Sequence, residues 1–211
     1  MSYVEIIKNI YKQIKKEIVK RIEEFKNIGR KGDSDKIFAE LIFCILTPQS
    51  KAVYCWEAVK NLENKKLLEK GDKTKIMNEL KKVRFKHKKT EYIIEIQKKF
   101  SHNNIKEILS QYPDVYEKRE WLVKNIKGMG YKEASHFLRN IGFCDNIAIL
   151  DRHILKNLKL LGVISEIPSS LSGKKYFLIE KQMINFSKKI NIPVSHLDLL
   201  LWYKETGKIF K

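Results

Sequence analysis

The chain has 211 residues, enough for one large domain or two smaller ones with proper cores. Lys and Arg number 43 against 25 Asp and Glu, a formal net charge of +18. So large a cation excess is costly in self-repulsion unless a polyanion is near, and nucleic acid is the usual one. Cys44, Cys55 and Cys144 form no CxxC pair and are too few for a four-thiolate zinc or iron–sulfur site, so neither metal nor cofactor is expected.

Pro and Gly are scarce while Lys, Ile, Leu and Glu abound, which favours helices. In chain order, Ile7, Ile10, Ile14, Ile18, Ile22 and Phe25 recur at helical spacing, predicting one amphipathic helix that ends near Gly29. Charge interrupts its apolar residues every few positions, so the start is no signal peptide. No run approaches the roughly 20 apolar residues of a membrane helix, and an intracellular protein of the cytoplasm or nucleoid is expected. GRKGDSD, Gly29 to Asp35, reads as a linker. Lys36 to Leu46 is apolar almost all round (Ile37, Phe38, Leu41, Ile42, Ile45), a buried helix stopped at Thr47-Pro48. Further helices are predicted from Gln49 or Ser50 to Leu62, over Lys73–Val83 and over Lys88–Phe100, with RFKHKK between the last two. Asn104–Ser110, Val115–Asn125 and Tyr131–Asn140 follow, the last closed by Gly142. Asp151 stands at an N-cap position before RHILKNLKLLG. Lys174–Lys189 is a long helix, and Ser195–Thr206 is another, capped by Ser195 or by His196 with Asp198 in its first turn. No segment alternates as a strand, and there is no repeat at a solenoid period. The chain reads as all-α.

The stretch IKGMGYKEAS, Ile126 to Ser135, carries the chemistry. A glycine pair between helices is often only a turn that needs positive φ. No Walker loop and no preceding strand are present. A short helix, a glycine turn and a second helix make a helix–hairpin–helix, whose turn can press backbone N–H groups from Gly128 and Gly130 against a DNA phosphate. Lys132 falls in the first turn of the second helix. The dipole and the nearby charge of Lys127 favour its neutral amine, a nucleophile that forms a Schiff base with a sugar carbon. The plainer role is one more phosphate-binding lysine. Asp151 lies 19 residues later, at a point where the chain returns, and capping its helix is compatible with stabilising a sugar cation.

IKGMGYKEAS followed by ILDRHILKNL resembles the helix–hairpin–helix DNA glycosylases with the Gly/Pro-Asp loop, the superfamily of endonuclease III and the 8-oxoguanine glycosylases. Their usual hairpin is L-P-G-V-G-x-K, followed by V-D-x-H. Here Lys127 replaces the proline, and the loop before Asp151 lacks one too. LIFCILTPQSKAV resembles the family's L-L-S-x-Q-x-T segment, and FKHKKTEYII its wedge loop and helix. The cluster cysteines of endonuclease III are absent. The tail LDLLLWYKETGKIFK, ending in lysine, and the lack of an N-terminal sheet domain resemble the archaeal-type (type 2) 8-oxoguanine DNA glycosylases.

The resemblance implies a bifunctional enzyme that excises 8-oxoguanine from double-stranded DNA and nicks the strand by β-elimination, because members that only release the base lack the lysine. Lys132 and Asp151 would be catalytic. Lys127, Gly128, Gly130, Arg152 and His153 would hold phosphates. Gln49 would fill the gap left by a flipped base, with helix capping as its alternative role. Phe85, His87 and Lys88 would meet the opposite strand, with core packing as the alternative for Phe85. His136, Trp202 and Lys211 would line the base pocket, although Trp202 on its apolar helix also suits the core. The implied architecture is two helical lobes, one of residues 30–136 ending in the hairpin and one of residues 1–29 with 137–211, with DNA in the cleft. A monomer is expected. The competing functions are an oxidised-pyrimidine glycosylase/lyase and a non-catalytic helix–hairpin–helix DNA-binding protein.

Overall fold

The computed structural model describes residues 2–100 and 102–211, and among them every regular element is a helix. The chain divides into two compact units, Ile28–Phe137 and the pair of segments Met1–Asn27 with Leu138–Lys211.

Helix α1 (Tyr3–Lys31) buries Ile7, Ile14, Ile18, Ile22 and Phe25 along one stripe. It runs through Gly29, where the sequence predicted its end. A glycine inside a helix costs only about 1 kcal/mol, which one end of a long packed helix absorbs. Gly32 stops it instead, at φ +63. The expected linker therefore shrinks to Gly32 and Asp33, and Asp33 caps α2 (Ser34–Leu46) by accepting from Lys36 N at 3.1 Å.

In the contiguous unit, every residue of α2 from Ile37 to Leu46 is buried. It packs on α3 (Ala52–Asn64), α5 (Lys86–Lys99) and α6 (His102–Ser110). Burying each large apolar side chain contributes about 1.5–3 kcal/mol, so this helix is the unit's core. α4 (Lys73–Glu79) is shorter than its apolar spacing predicted. Leu80 and Val83 are still buried, but tighter bonds to residues three back carry them round a turn. α7 (Val115–Asn125) and α8 (Tyr131–Asn140) have the predicted bounds. The buried Arg119 of α7 donates to Ser135 Oγ of α8 at 3.0 Å.

In the unit built from both termini, α9 (Arg152–Leu160) and α10 (Gly173–Ile190) each pack on α11 (Val194–Thr206). Tyr3 Oη donates to Asn157 Oδ1 at 2.6 Å, and Tyr11 shares a 2.8 Å hydrogen bond with His196. Gly142 follows α8 as predicted, at φ +97, and a Cβ there would lie 3.0 Å from Lys26 Cα. The predicted cap of α11 is wrong. Pro193 holds that position without a side-chain bond, Ser195 lies inside the helix, and Asp198 turns inward to Arg139 at 3.2 Å. The proline ring fixes φ at −52 where the chain enters the helix, and its carbonyl accepts from His196 N and Leu197 N at 2.9 and 2.8 Å.

Candidate active site

The hairpin is built from the two ends of its helices. α7 closes on Ile126, whose N–H reaches Leu122 O at 3.0 Å. Gly128 then takes φ +83, and a Cβ there would stand 2.4 Å from the Tyr92 ring. Glycine is required twice over, once for the backbone and once for the ring beneath it. Gly130 serves differently. Its N–H donates to Glu133 Oε2 at 3.2 Å, a glutamate reaching back from the third helical position as in a capping box. Met129 N–H is likewise engaged, with Ile126 O at 3.2 Å. The Gly130 N–H expected to meet a phosphate is thus committed to the start of α8.

Glu133 reaches Lys132 as well. Lys132 Nζ lies 2.9 Å from Glu133 Oε1 and 3.4 Å from Thr47 Oγ1, with the side chain 23 % exposed. The charge touching this amine is therefore a carboxylate and not Lys127, which pairs with Glu95 at 3.3 Å. Thr47 belongs to the turn that ends α2, and its hydroxyl donates back to Cys44 O at 2.8 Å. Gln49, two residues on, is exposed at φ +54. It does not cap α3, whose N-cap is Lys51 without a side-chain bond. Phe85 is also left-handed, at φ +58, and is 54 % exposed. The core alternative for Phe85 is therefore ruled out, because the left-handed backbone turns the ring outward. The Arg84 guanidinium sits 5.3 Å from its centroid. His87 and Lys88 are exposed in the next turn, with Lys88 Nζ 6.0 Å from the Tyr92 ring that underlies Gly128. His136, one turn beyond Lys132, is buried with its ring edge-on to Phe43 at 5.4 Å.

In the other unit, Asp151 is fixed at both ends. Its Oδ1 accepts from His153 N and Ile154 N, each at 2.8 Å, which makes it the N-cap of α9 as predicted. The buried residues before it, Ile147 to Leu150, have no ladder partner, so side chains satisfy their backbone. Glu180 Oε1 accepts from Ala148 N at 2.9 Å, and Tyr176 Oη donates to Ala148 O at 2.6 Å. Asp198 accepts from Ile149 N–H, and burial pushes its carboxyl up to about 7, with Arg139 opposing and the Asp151 charge adding to the rise. Arg152 is exposed. His153 lies edge-on to Trp202 at 5.1 Å, with Nδ1 3.9 Å from Glu205 Oε2. The Glu205 carboxyl is held down at about 2, first by Lys156 at 2.8 Å, then by Lys204 and Asn157. Trp202 is half-buried against a candidate site residue and not sealed in the core. Lys211 is half-buried in the tail beyond Gly207.

Sequence reasoning missed Glu133, Thr47, Tyr176, Glu180, Asp198, Glu205 and the buried Lys89. Two of these were legible. Glu133 stands at capping-box distance from Gly130, and Lys89 sits on the apolar stripe of α5 with Ile93 and Ile96. Among the described residues, no cluster of His, Cys, Asp and Glu is placed to hold a metal ion, and no helix is long and apolar enough to cross a membrane.

These features define an all-helical helix–hairpin–helix protein with a lysine in the first turn after its hairpin. Within that class the chain belongs to the 8-oxoguanine DNA glycosylase family, whose model matches residues 18–192. An 8-oxoguanine DNA glycosylase/AP lyase of Fusobacterium nucleatum is 49 % identical, over 100 % of this chain and 98 % of its own. The Methanocaldococcus jannaschii 8-oxoguanine glycosylase/lyase, solved in complex with a 15mer DNA containing 8-oxoguanine, superposes with a TM-score of 0.91 at 38 % identity, covering 100 % of both chains. The 8-oxoguanine DNA glycosylase of Thermotoga maritima gives 0.88 at 33 % identity, covering 99 % of this chain and 98 % of that one.

Proposed function

We propose that this chain excises 8-oxoguanine from duplex DNA and cleaves the resulting abasic site, with Lys132 as nucleophile and Asp151 as the fixed carboxylate. The observation that carries the reading is the Lys132 amine itself. It is part-exposed in the first turn of α8, directly after a glycine hairpin, with Glu133 Oε1 at 2.9 Å and Thr47 Oγ1 at 3.4 Å. A lysine nucleophile needs a proton acceptor within hydrogen-bond reach, and the Glu133 carboxylate is one. The family and the activities for which its relatives are named support the same substrate.

The damaged nucleotide first leaves the stack. Gln49 fills the space and Phe85 wedges beside the orphan base, with His87 and Lys88 on the opposite strand. Lys127, Gly128, Arg152 and His153 hold phosphates, which positions the strand without reading its sequence, while Gly130 N–H stays on Glu133. Glu133 takes the amine proton, and the lone pair of Nζ attacks C1′. The glycosidic bond breaks with its electrons going to the base, which picks up a proton as it leaves. One of the two protons left on Nζ passes to the ring oxygen as the ring opens, leaving an iminium on Lys132. Removal of a C2′ proton then sends electrons through the iminium system and expels the 3′ phosphate. Asp151, whose cap uses only Oδ1, stabilises the positive charge that develops on the sugar. Lys211, with His136 and Trp202, sets the base preference. 8-Oxoguanine carries N7–H where guanine carries an acceptor, so an acceptor aimed there is left unpaired by the normal base. The enzyme acts as a monomer inside the cell, where its DNA is.

Borohydride trapping on duplexes carrying 8-oxoguanine, an oxidised pyrimidine or an abasic site tests this reading. Adducts are expected on the first and third, none with Lys132→Gln, and DNA binding without base release with Asp151→Asn. Deleting Lys211 should erode the preference over guanine. Full trapping by Lys132→Gln would sink the assignment. A preference for the pyrimidine duplex would change the substrate.

A further inference from the structure

Lys89 is a cation in the core of the contiguous unit, 4 % exposed and aligned with Ile93 and Ile96. A buried ammonium is costly unless all of its protons are bonded. Here they are: Nζ donates to Leu46 O at 2.7 Å, Pro48 O at 2.8 Å and Ser50 Oγ at 2.9 Å. All three acceptors lie in the turn that carries Gln49. Ser50 Oγ also accepts from Arg84 N at 3.0 Å, which ties in the residue before Phe85. The ammonium therefore grips two loops at once. Each loop tip is a non-glycine residue with positive φ, Gln49 at +54 and Phe85 at +58. Such conformations cost about 1–3 kcal/mol each and persist only where the surroundings enforce them. Ile93 and Ile96 fill the same stripe, so filling the core did not demand a lysine. What lysine adds is three directed bonds to one turn and, through Ser50, a hold on the next.

We propose that Lys89 is a positioning residue that holds Gln49 and Phe85 in their strained conformations, ready to enter the duplex when the damaged nucleotide leaves. This rests on the roles given to those two residues above. The groups acting on Lys89 are named by its surroundings. Burial is the largest and lowers its pKa to about 8, the thiol of Cys55 in α3 and Glu133 in α8 oppose this, and Lys132 in α8 and Arg84 add to it. A neutral amine has two N–H groups, so one of the three bonds is lost as pH rises through that value.

The test compares base excision from an 8-oxoguanine duplex with lyase action on an abasic site in single-stranded DNA. The second reaction needs the nucleophile but has no gap to fill and no orphan base to wedge. Lys89→Met, checked for folding by thermal melt, should lose about 10- to 100-fold in single-turnover duplex excision while single-strand lyase stays within about twofold. Lys89→Arg, which keeps the charge, should recover part of the loss. Parallel losses in both reactions would leave Lys89 a merely structural residue and end the proposal. Gln49→Ala and Phe85→Ala run alongside. If they impair duplex excision and Lys89→Met does not, the inference alone fails. If neither impairs it, the roles of Gln49 and Phe85 fail, and the inference falls with them.

Discussion

At the scale of single residues, Glu133 joins two tasks the sequence had kept separate. One oxygen closes the first turn of α8 on Gly130 N and the other meets the Lys132 amine. Helix geometry makes this possible, since a side chain at the third position points back over the turn before it. A cap and the proposed proton acceptor therefore share one carboxylate. Glu133→Gln keeps a group that can accept from Gly130 N but cannot take a proton. It is expected to slow single-turnover base excision by about 10²-fold or more while duplex affinity and melting temperature change little. A variant that loses affinity and stability but excises normally would reduce Glu133 to its cap. The places of Lys132 in the first turn of α8 and of Asp151 at the cap of α9 were readable because each stands at a fixed local offset, one from a glycine pair and one from a helix start. Gln49 and Phe85 were readable as candidates only. Their left-handed backbones are enforced by a lysine 40 and 4 residues further on, and no local pattern announces that.

At the scale of elements, the helices were largely legible because periodicity and capping are local, as the matching bounds of α7 and α8 show. The errors arose where a tertiary contact overrode a local signal, as at Gly29 inside α1 and Asp198 turned inward in α11. The least legible element is the segment before Asp151. Its supports, Tyr176, Glu180 and Asp198, lie on two later helices, and nothing in residues 146–150 names them. Tyr176 is the sharpest test of that suspension. Tyr176→Phe leaves Ala148 O buried without its donor, which should cost about 1–3 kcal/mol in a denaturant melt. Base excision should fall by more than lyase action on a preformed abasic site, because stabilising the sugar cation as the base leaves is the task proposed for Asp151. Unchanged excision in a destabilised protein would show that the segment holds its shape without the hydroxyl.

At the scale of the whole molecule, the units differ in how their chain is assembled. Ile28–Phe137 is continuous, and its core helix α2 meets α3, α5 and α6 without leaving that segment. The other unit joins the first residues to the last, so that Tyr3 bonds Asn157 and Tyr11 bonds His196. Closing so long a loop carries an entropy cost that short-range contacts avoid, and non-local pairing slows folding. Pulse-labelled hydrogen exchange during refolding should therefore protect the amides of Leu41 and Ile42 before that of Ala148. Simultaneous protection would mean that the two units fold as one cooperative body. On the ribosome the same asymmetry becomes a schedule, since chains fold from the N-terminus as they emerge. The hairpin and its lysine are complete while the residues that fix Asp151 are still being translated. With the roles proposed for Lys132 and Asp151, the second half of the chemistry arrives only once Asp198 has been translated, and a copy cut short before it would lack the support that fixes the proposed carboxylate.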